Sequence, residues 1–341
     1  MTRRVRLTSL VSLVSLVAFA VATASLATDA AHAETPPSRW DIARERGVRS
    51  RWELHVKVRQ LIYLRGQLDT ETMRDATLER ARALLEDAGA ANSPDVRLRF
   101  DLGEIYYQLD RFERAIAVFV PALEMAPNDP AVADALAYLA YAYAKLDRSA
   151  EERVVYEKYL ARVTDDRLRA TAMLNLAEAE MRLGNLRDAI AGYRDTIALT
   201  EQLPNGVSQT HTLILGVWGL AVALDRDGQT REGIVQARRA VMMDPDDRVI
   251  AHDPNVFFVP AYERHWYLAL GAIARAEDEK QPADAAKLWK KVEDQWTKFI
   301  DPAASNDRWL AMARVRRERA RAMRTAAEAR MPAQPKAPAK K

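Results

Sequence analysis

The chain has no cysteine among its 341 residues. That excludes disulfide cross-links, thiolate zinc sites, a cysteine nucleophile and the lipidated cysteine of a bacterial lipoprotein, so stability has to come from packing. Glycine is scarce at 12 residues, while Ala, Leu, Arg and Glu are abundant, a balance that favours helices throughout. Strands are not expected, because Val and Ile sit inside patterns recurring at i, i+3 and i+4. There is no G-x-S-x-G elbow, no phosphate-cradling glycine loop and no dinucleotide fingerprint. Of five histidines, His32 falls in the N-terminal leader, and His55, His211, His252 and His265 show neither i, i+4 pairing nor metal-ligand spacing. Glu263 and His265, two apart, point to different sides of a helix, and His252-Asp253 reads as a loop pair. Paired carboxylates for glycoside hydrolysis depend on a three-dimensional separation that sequence does not show, and no pair stands out. No enzyme, cofactor or metal site is therefore expected. At 49% hydrophobic residues the chain can bury one or two ordinary cores.

The first 33 residues read as an export signal. Arg3, Arg4 and Arg6 precede an apolar run from Leu7 to Ala27, and Ala31-His32-Ala33 places small residues where a signal peptidase cuts, so the mature chain is expected to begin at Glu34. Arg6 stands where a twin-arginine signal wants an aromatic residue or Leu, which favours the general secretory route. An uncleaved anchor is the alternative, since about twenty apolar residues can span a bilayer. Ser12, Ser15, Thr23 and Ser25 inside the run favour cleavage. No second long apolar segment is legible, so a soluble protein of an extracytoplasmic compartment, the periplasm, is expected.

Charge is uneven. Residues 34–311 carry 38 Lys/Arg against 45 Asp/Glu, whereas residues 312–341 carry 10 against 2. Residues 307–330 can form one long helix, and residues 331–341, MPAQPKAPAKK, have the composition of a disordered basic tail. Such a tail keeps a protein soluble; it also offers a salt-sensitive contact to an anionic envelope polymer or an acidic partner. No nucleic-acid partner is expected.

An internal repeat organises the middle of the chain. Ala115 and Phe119 recur as Ala189 and Tyr193, and the short turn Leu109-Asp110-Arg111 recurs as Leu146-Asp147-Arg148, Leu183-Gly184-Asn185 and Asp227-Gly228-Gln229. Small residues at Gly103, Ala140, Ala177 and Ala221 fix a register with steps of 37, 37 and 44 residues. This pattern resembles the tetratricopeptide repeat family, whose unit is an antiparallel helix pair reading W-x2-L-G-x2-Y, then A-x3-F, then P. In residues 96–129, Leu102, Gly103, Tyr106, Ala115, Phe119, Ala122 and Pro127 match, with Arg99 in place of the Trp. The copy at 170–203 matches through Leu176, Ala177, Gly184, Ala189 and Tyr193, but Glu180 and Glu201 replace the Tyr and Pro. The copy at 214–247 matches through Leu220, Ala221, Gly228, Ala240 and Pro245, with Gly233 and Ala237 where Ala and the aromatic belong. Between them, residues 133–169 keep Leu139, Ala140, Tyr143 and Tyr156 and place Glu152 where a small residue should pack.

The resemblance implies an all-α, right-handed solenoid of five to six helix pairs. Residues 34–95 are read as a degenerate N-terminal pair, 96–247 as the repeats, 248–306 as a loop and a further degenerate pair, and 307–330 as a C-terminal helix. The apolar run Val256-Phe257-Phe258-Val259 is expected to bury against that last pair. In the family, helix A positions 2, 5, 9, 12 and 13 line a concave groove. Carried over, these give Phe100, Glu104, Tyr107 and Gln108, then Tyr141 and Lys145, Glu178 and Arg182, and Trp218 and Arg226. A row of cations beside aromatic side chains suits an extended or helical peptide with acidic groups. The reading is a non-catalytic envelope scaffold that binds protein partners. Its rivals are an envelope enzyme with a helical support array, as in soluble lytic transglycosylases, and a self-associating protein whose groove is filled by its own tail.

Overall fold

The computed structural model describes residues 46–254 and 256–331. The leader and the last ten residues lie outside them, and with them the signal and tail readings. Among the described residues every regular element is a helix, as the periodicity requires. Two compact units divide between Ala172 and Met173. Unit 1 contains α1 (Arg46–Arg65), α2 (Glu71–Asp87), α3 (Val96–Gln108), α4 (Phe112–Met125), α5 (Val132–Lys145), α6 (Ser149–Leu160) and the start of α7 (Asp166–Leu183). Unit 2 contains the rest of α7, α8 (Leu186–Gln202), α9 (Val207–Arg226), α10 (Thr230–Met243), the short α11 (Arg248–His252), α12 (Arg264–Asp278), α13 (Pro282–Ile300) and α14 (Leu310–Ala329).

The four recurring turns share one geometry. Their central residues, Asp110, Asp147, Gly184 and Gly228, have φ of 54°, 55°, 84° and 86°. In each, the next amide reaches back over the helix end: Arg111 N to Tyr106 O, Arg148 N to Tyr143 O, Asn185 N to Glu180 O and Gln229 N to Leu224 O, at 2.8 to 2.9 Å. This is the Schellman closure, which needs a left-handed residue, and Gly or a short polar side chain supplies it at least cost. Glu180, which breaks the sequence motif, accepts a bond from Asn185 Nδ2 at 2.6 Å and so helps close its turn.

Small residues set the distance between paired helices. A Cβ added to Gly103 would lie 2.6 Å from Phe119 Cε1, so the α4 aromatic lies directly against the glycine of α3. Phe119 also stacks on Tyr138 of α5, with ring centroids 6.3 Å apart. One ring thus joins its own hairpin to the next. Gly233 is a tighter version of the Ala expected there, because a Cβ would meet Ala221 O at 2.8 Å. Glu152, by contrast, is buried within the α5–α6 pair despite its size.

The core of unit 2 is aromatic. Trp218, Trp266, Trp296 and Phe299 are fully buried, and Trp266 meets Trp296 and Phe299 edge to face at 4.9 and 5.1 Å. The Val256–Val259 run is half-buried, with Phe258 packed on Tyr267 of α12 at 5.1 Å. Helix α9 is long and apolar enough to cross a membrane, contrary to the expectation of no second such segment, but it forms the buried centre of unit 2.

Candidate functional site

In unit 1 the helices α1, α3 and α5 enclose a recess of about 150 Å³. Helix α3 supplies Arg97, Phe100, Asp101 and Glu104, α5 supplies Asp134 and Tyr138, and α1 supplies His55 and Arg59. Most of its charges are matched. Arg59 donates to Glu104 at 2.6 Å and lies 3.7 Å from Asp101, His55 Nδ1 is 2.6 Å from Asp101, and Arg97 pairs with Asp95 at 2.6 and 2.9 Å. Glu104 raises the pKa of Arg59 against its burial. Asp134 has no ion pair or hydrogen-bond partner among the described residues, and burial, then Glu104, push its carboxyl up to about 6 against the pull of Arg59.

The sequence-predicted residues of this unit divide. Glu104 lines the recess, and Gln108 donates to it at 2.8 Å. Phe100 also lines it, but as a buried wall only 6% exposed. Tyr107, expected as a partner-facing anchor, is 7% exposed, with its ring 4.7 Å from Tyr138 and 5.3 Å from Tyr141. It packs helix on helix, and burial raises its phenol. Tyr141 stays half-buried, its phenol pushed up to about 12 by burial, and Lys145 lies over its ring at 5.1 Å.

Unit 2 corrects the reading more sharply. Trp218 is 0% exposed and bounds the close approach of α12, since a Cβ on Gly271 would meet its Cη2 at 2.8 Å; it is core, not groove. Arg226 is buried too, bonded to Glu263 at 2.5 Å and held over the rings of Trp266 and Trp309 at 4.5 and 4.9 Å. Arg182 bonds to Glu178 at 2.9 Å, and burial raises the Glu178 carboxyl against that pull. The segment before α14 and α14 itself cover this end of the repeats. Arg308 donates to Leu183 O at 2.6 Å, and Arg316 bonds to Asp225 and Thr230 at 2.6 and 2.5 Å. Asp225 is fully buried and also accepts from Trp266 Nε1 at 3.1 Å; burial raises its carboxyl, with Arg316 opposing.

Sequence reasoning missed Asp134, although it stands at family position 2 of the second repeat. It also missed His55 and Arg59, for which no signal existed. A second recess in unit 1, about 630 Å³, lies between α4, α5 and α6 and is walled by Val120, Leu123, Leu136, Tyr143 and Val154. No cluster of three metal-ligating side chains occurs among the described residues.

Residues 73–151 match the family model for the tetratricopeptide repeat. Among solved structures, a tetratricopeptide repeat protein from Parabacteroides merdae is similar at 13% identity and a TM-score of 0.46, over 79% of this chain and 99% of that one. YrrB, a TPR protein with an unusual peptide-binding site, is similar at 16% identity and a TM-score of 0.40, over 68% and 97%. A Rap protein complexed with Competence and Sporulation Factor is similar at 13% identity and a TM-score of 0.40, over 82% and 74%. No curated protein matches the chain.

Proposed function

We propose, from the premise that this chain is a tetratricopeptide repeat protein through residues 73–151, that it is a non-catalytic scaffold binding an extended segment of a protein partner in the unit 1 recess. One observation carries the reading: family groove positions Arg97, Phe100, Glu104 and Asp134 converge on an open recess in unit 1, whereas the corresponding end of unit 2 is covered by its own C-terminal segment. Binding by mass action in a preformed, partly aromatic recess requires no chemistry from the chain. The test is capture of peptides from an array of random 12-residue sequences by the full chain and by Ala131→Trp. Ala131 is half-buried at the start of α5 and lines the recess, so the indole fills it. Capture is expected to fall at least tenfold with helicity unchanged; capture equal to that of the parent removes the reading.

The setting proposed is the cell envelope, supported by the basic start, apolar run and Ala-His-Ala ending of the first 33 residues. The N-terminal residue of the exported protein tests it: Glu34 supports cleavage, and an intact leader supports the anchor. The acidic partner suggested by Lys145, Arg182 and Arg226 has little to stand on, because the latter two already pair with Glu178 and Glu263. A contact between an anionic polymer and the basic C-terminal residues remains part of the proposal, through the exposed Arg314 and Arg319, and high salt should abolish it. Self-filling, the rival reading, is favoured for unit 2 alone, where Arg316, Arg321 and Arg324 of α14 bond to Asp225 and Glu293.

A further inference from the structure

The recess in unit 1 contains four acidic groups and three basic ones when its first neighbours are counted. Three of the acids have partners: Asp95 holds Arg97, Asp101 holds His55, and Glu104 holds Arg59. Asp134 is left over. Four residues further along the same face of α5, Tyr138 lines the same recess, its ring packed against Tyr107 at 4.7 Å and Phe119 at 6.3 Å. Its hydroxyl has no hydrogen-bond partner among the described residues. A carboxylate, a phenol hydroxyl and an aromatic ring one turn apart line a recess of about 150 Å³, and among the described residues the carboxylate has no hydrogen-bond donor bonded to it. A buried or half-buried anion without a counter-charge is costly, and a ligand that brings the missing charge recovers that cost.

We propose that this recess receives a cationic side chain, lysine or arginine, carried by an extended segment of the partner, with Asp134 as its counter-ion and Tyr138 as its aromatic wall. The inference rests on the scaffold reading and gives its partner a chemistry. The stem of a lysine or arginine packs on apolar wall while its head meets the carboxylate. A carboxylate ligand fits poorly, because Arg59 and Arg97 are already committed and Asp134 repels it. The groups facing Asp134 are His55 and Arg59 from α1, Arg97, Asp101 and Glu104 from α3, Tyr138 from its own helix and Tyr159 from α6. Glu104, the other carboxylate that raises the Asp134 carboxyl, is already paired with Arg59, so the preference for a cation rests on Asp134.

The array of random 12-residue peptides tests this with the full chain, Asp134→Asn and Asp134→Glu at pH 7.5, with helicity measured for each. The parent is expected to enrich lysine and arginine about fivefold over the array's composition, the size of one half-buried ion pair. Asp134→Asn should bring that enrichment to background while peptides are still captured, and Asp134→Glu should restore most of it. Captured peptides with no basic enrichment, or an enrichment that Asp134→Asn leaves intact, overturn the inference and leave the scaffold reading standing. A folded chain that captures no peptide overturns the scaffold reading and this inference together.

Discussion

Removing the charge of Asp134 should stabilise the protein, and the gain should depend on pH. Burial and Glu104 lift this carboxyl from an ordinary value of 3.8 to about 6, so ionisation costs more in the folded chain than in the unfolded one. Stability contributed by the protonated form is fully present below pH 3.8 and is lost as pH rises to about 6. The full shift corresponds to about 3 kcal/mol; water reaching the half-buried carboxylate reduces this to roughly 1–2 kcal/mol. Asp134→Asn keeps the shape without the charge. Urea unfolding followed by circular dichroism should show its midpoint above the parent's at pH 7.5, by the equivalent of about 1–2 kcal/mol, with the two curves converging near pH 4. Equal midpoints at pH 7.5, or a gain that persists at pH 4, would refute the account of an anion held without a partner.

Other outcomes follow from the packing. Trp218→Ala should cost about 3–5 kcal/mol, because a fully buried indole leaves a cavity in the unit 2 core; a thermal midpoint unchanged from the parent would return Trp218 to the groove. In Gly219→Ala the new methyl would lie 2.2 Å from Tyr193 Cε1, so overpacking should outweigh the roughly 1 kcal/mol gained in helix propensity and lower the melting temperature. Arg316→Ala strips the cation from fully buried Asp225. It should destabilise by about 3 kcal/mol at pH 7.5 and progressively less as pH falls, since a raised carboxyl takes its proton sooner than a free one; urea unfolding across a descending pH series checks it.

What the sequence made legible is local. The four turns announce themselves in Leu-Asp-Arg, Leu-Gly-Asn and Asp-Gly-Gln because a left-handed residue must sit at one position, and few residue types tolerate it. The Gly103–Phe119 approach is legible for the same reason: only a missing side chain admits the ring. The ion pairs were not legible. His55 finds Asp101 across 46 residues, Arg59 finds Glu104 across 45, and Arg316 finds Asp225 across 91. A long flexible cation can reach many carboxylates, and no periodicity marks which one it takes. Trp218 was misplaced because a repeat position names a direction from one helix. Whether that direction opens to solvent depends on what later helices bring against it, here α12.

That difference bears on how partner chemistry is read from a repeat. Counting charged residues at groove positions pointed to cations, Lys145, Arg182 and Arg226, and so to an acidic ligand. Internal pairing reverses the conclusion: Arg182 and Arg226 are satisfied by Glu178 and Glu263, Lys145 lies on the Tyr141 ring, and the recess keeps an anion with no mate. Charges already bonded within the fold gain little from a ligand, since binding must first break what they have. An unmatched charge has no such bond to break, so it gains the new interaction less only the desolvation of the two ions. The remainder after pairing, not the inventory of charged residues, therefore sets the sign of the partner, and in unit 1 that remainder is Asp134.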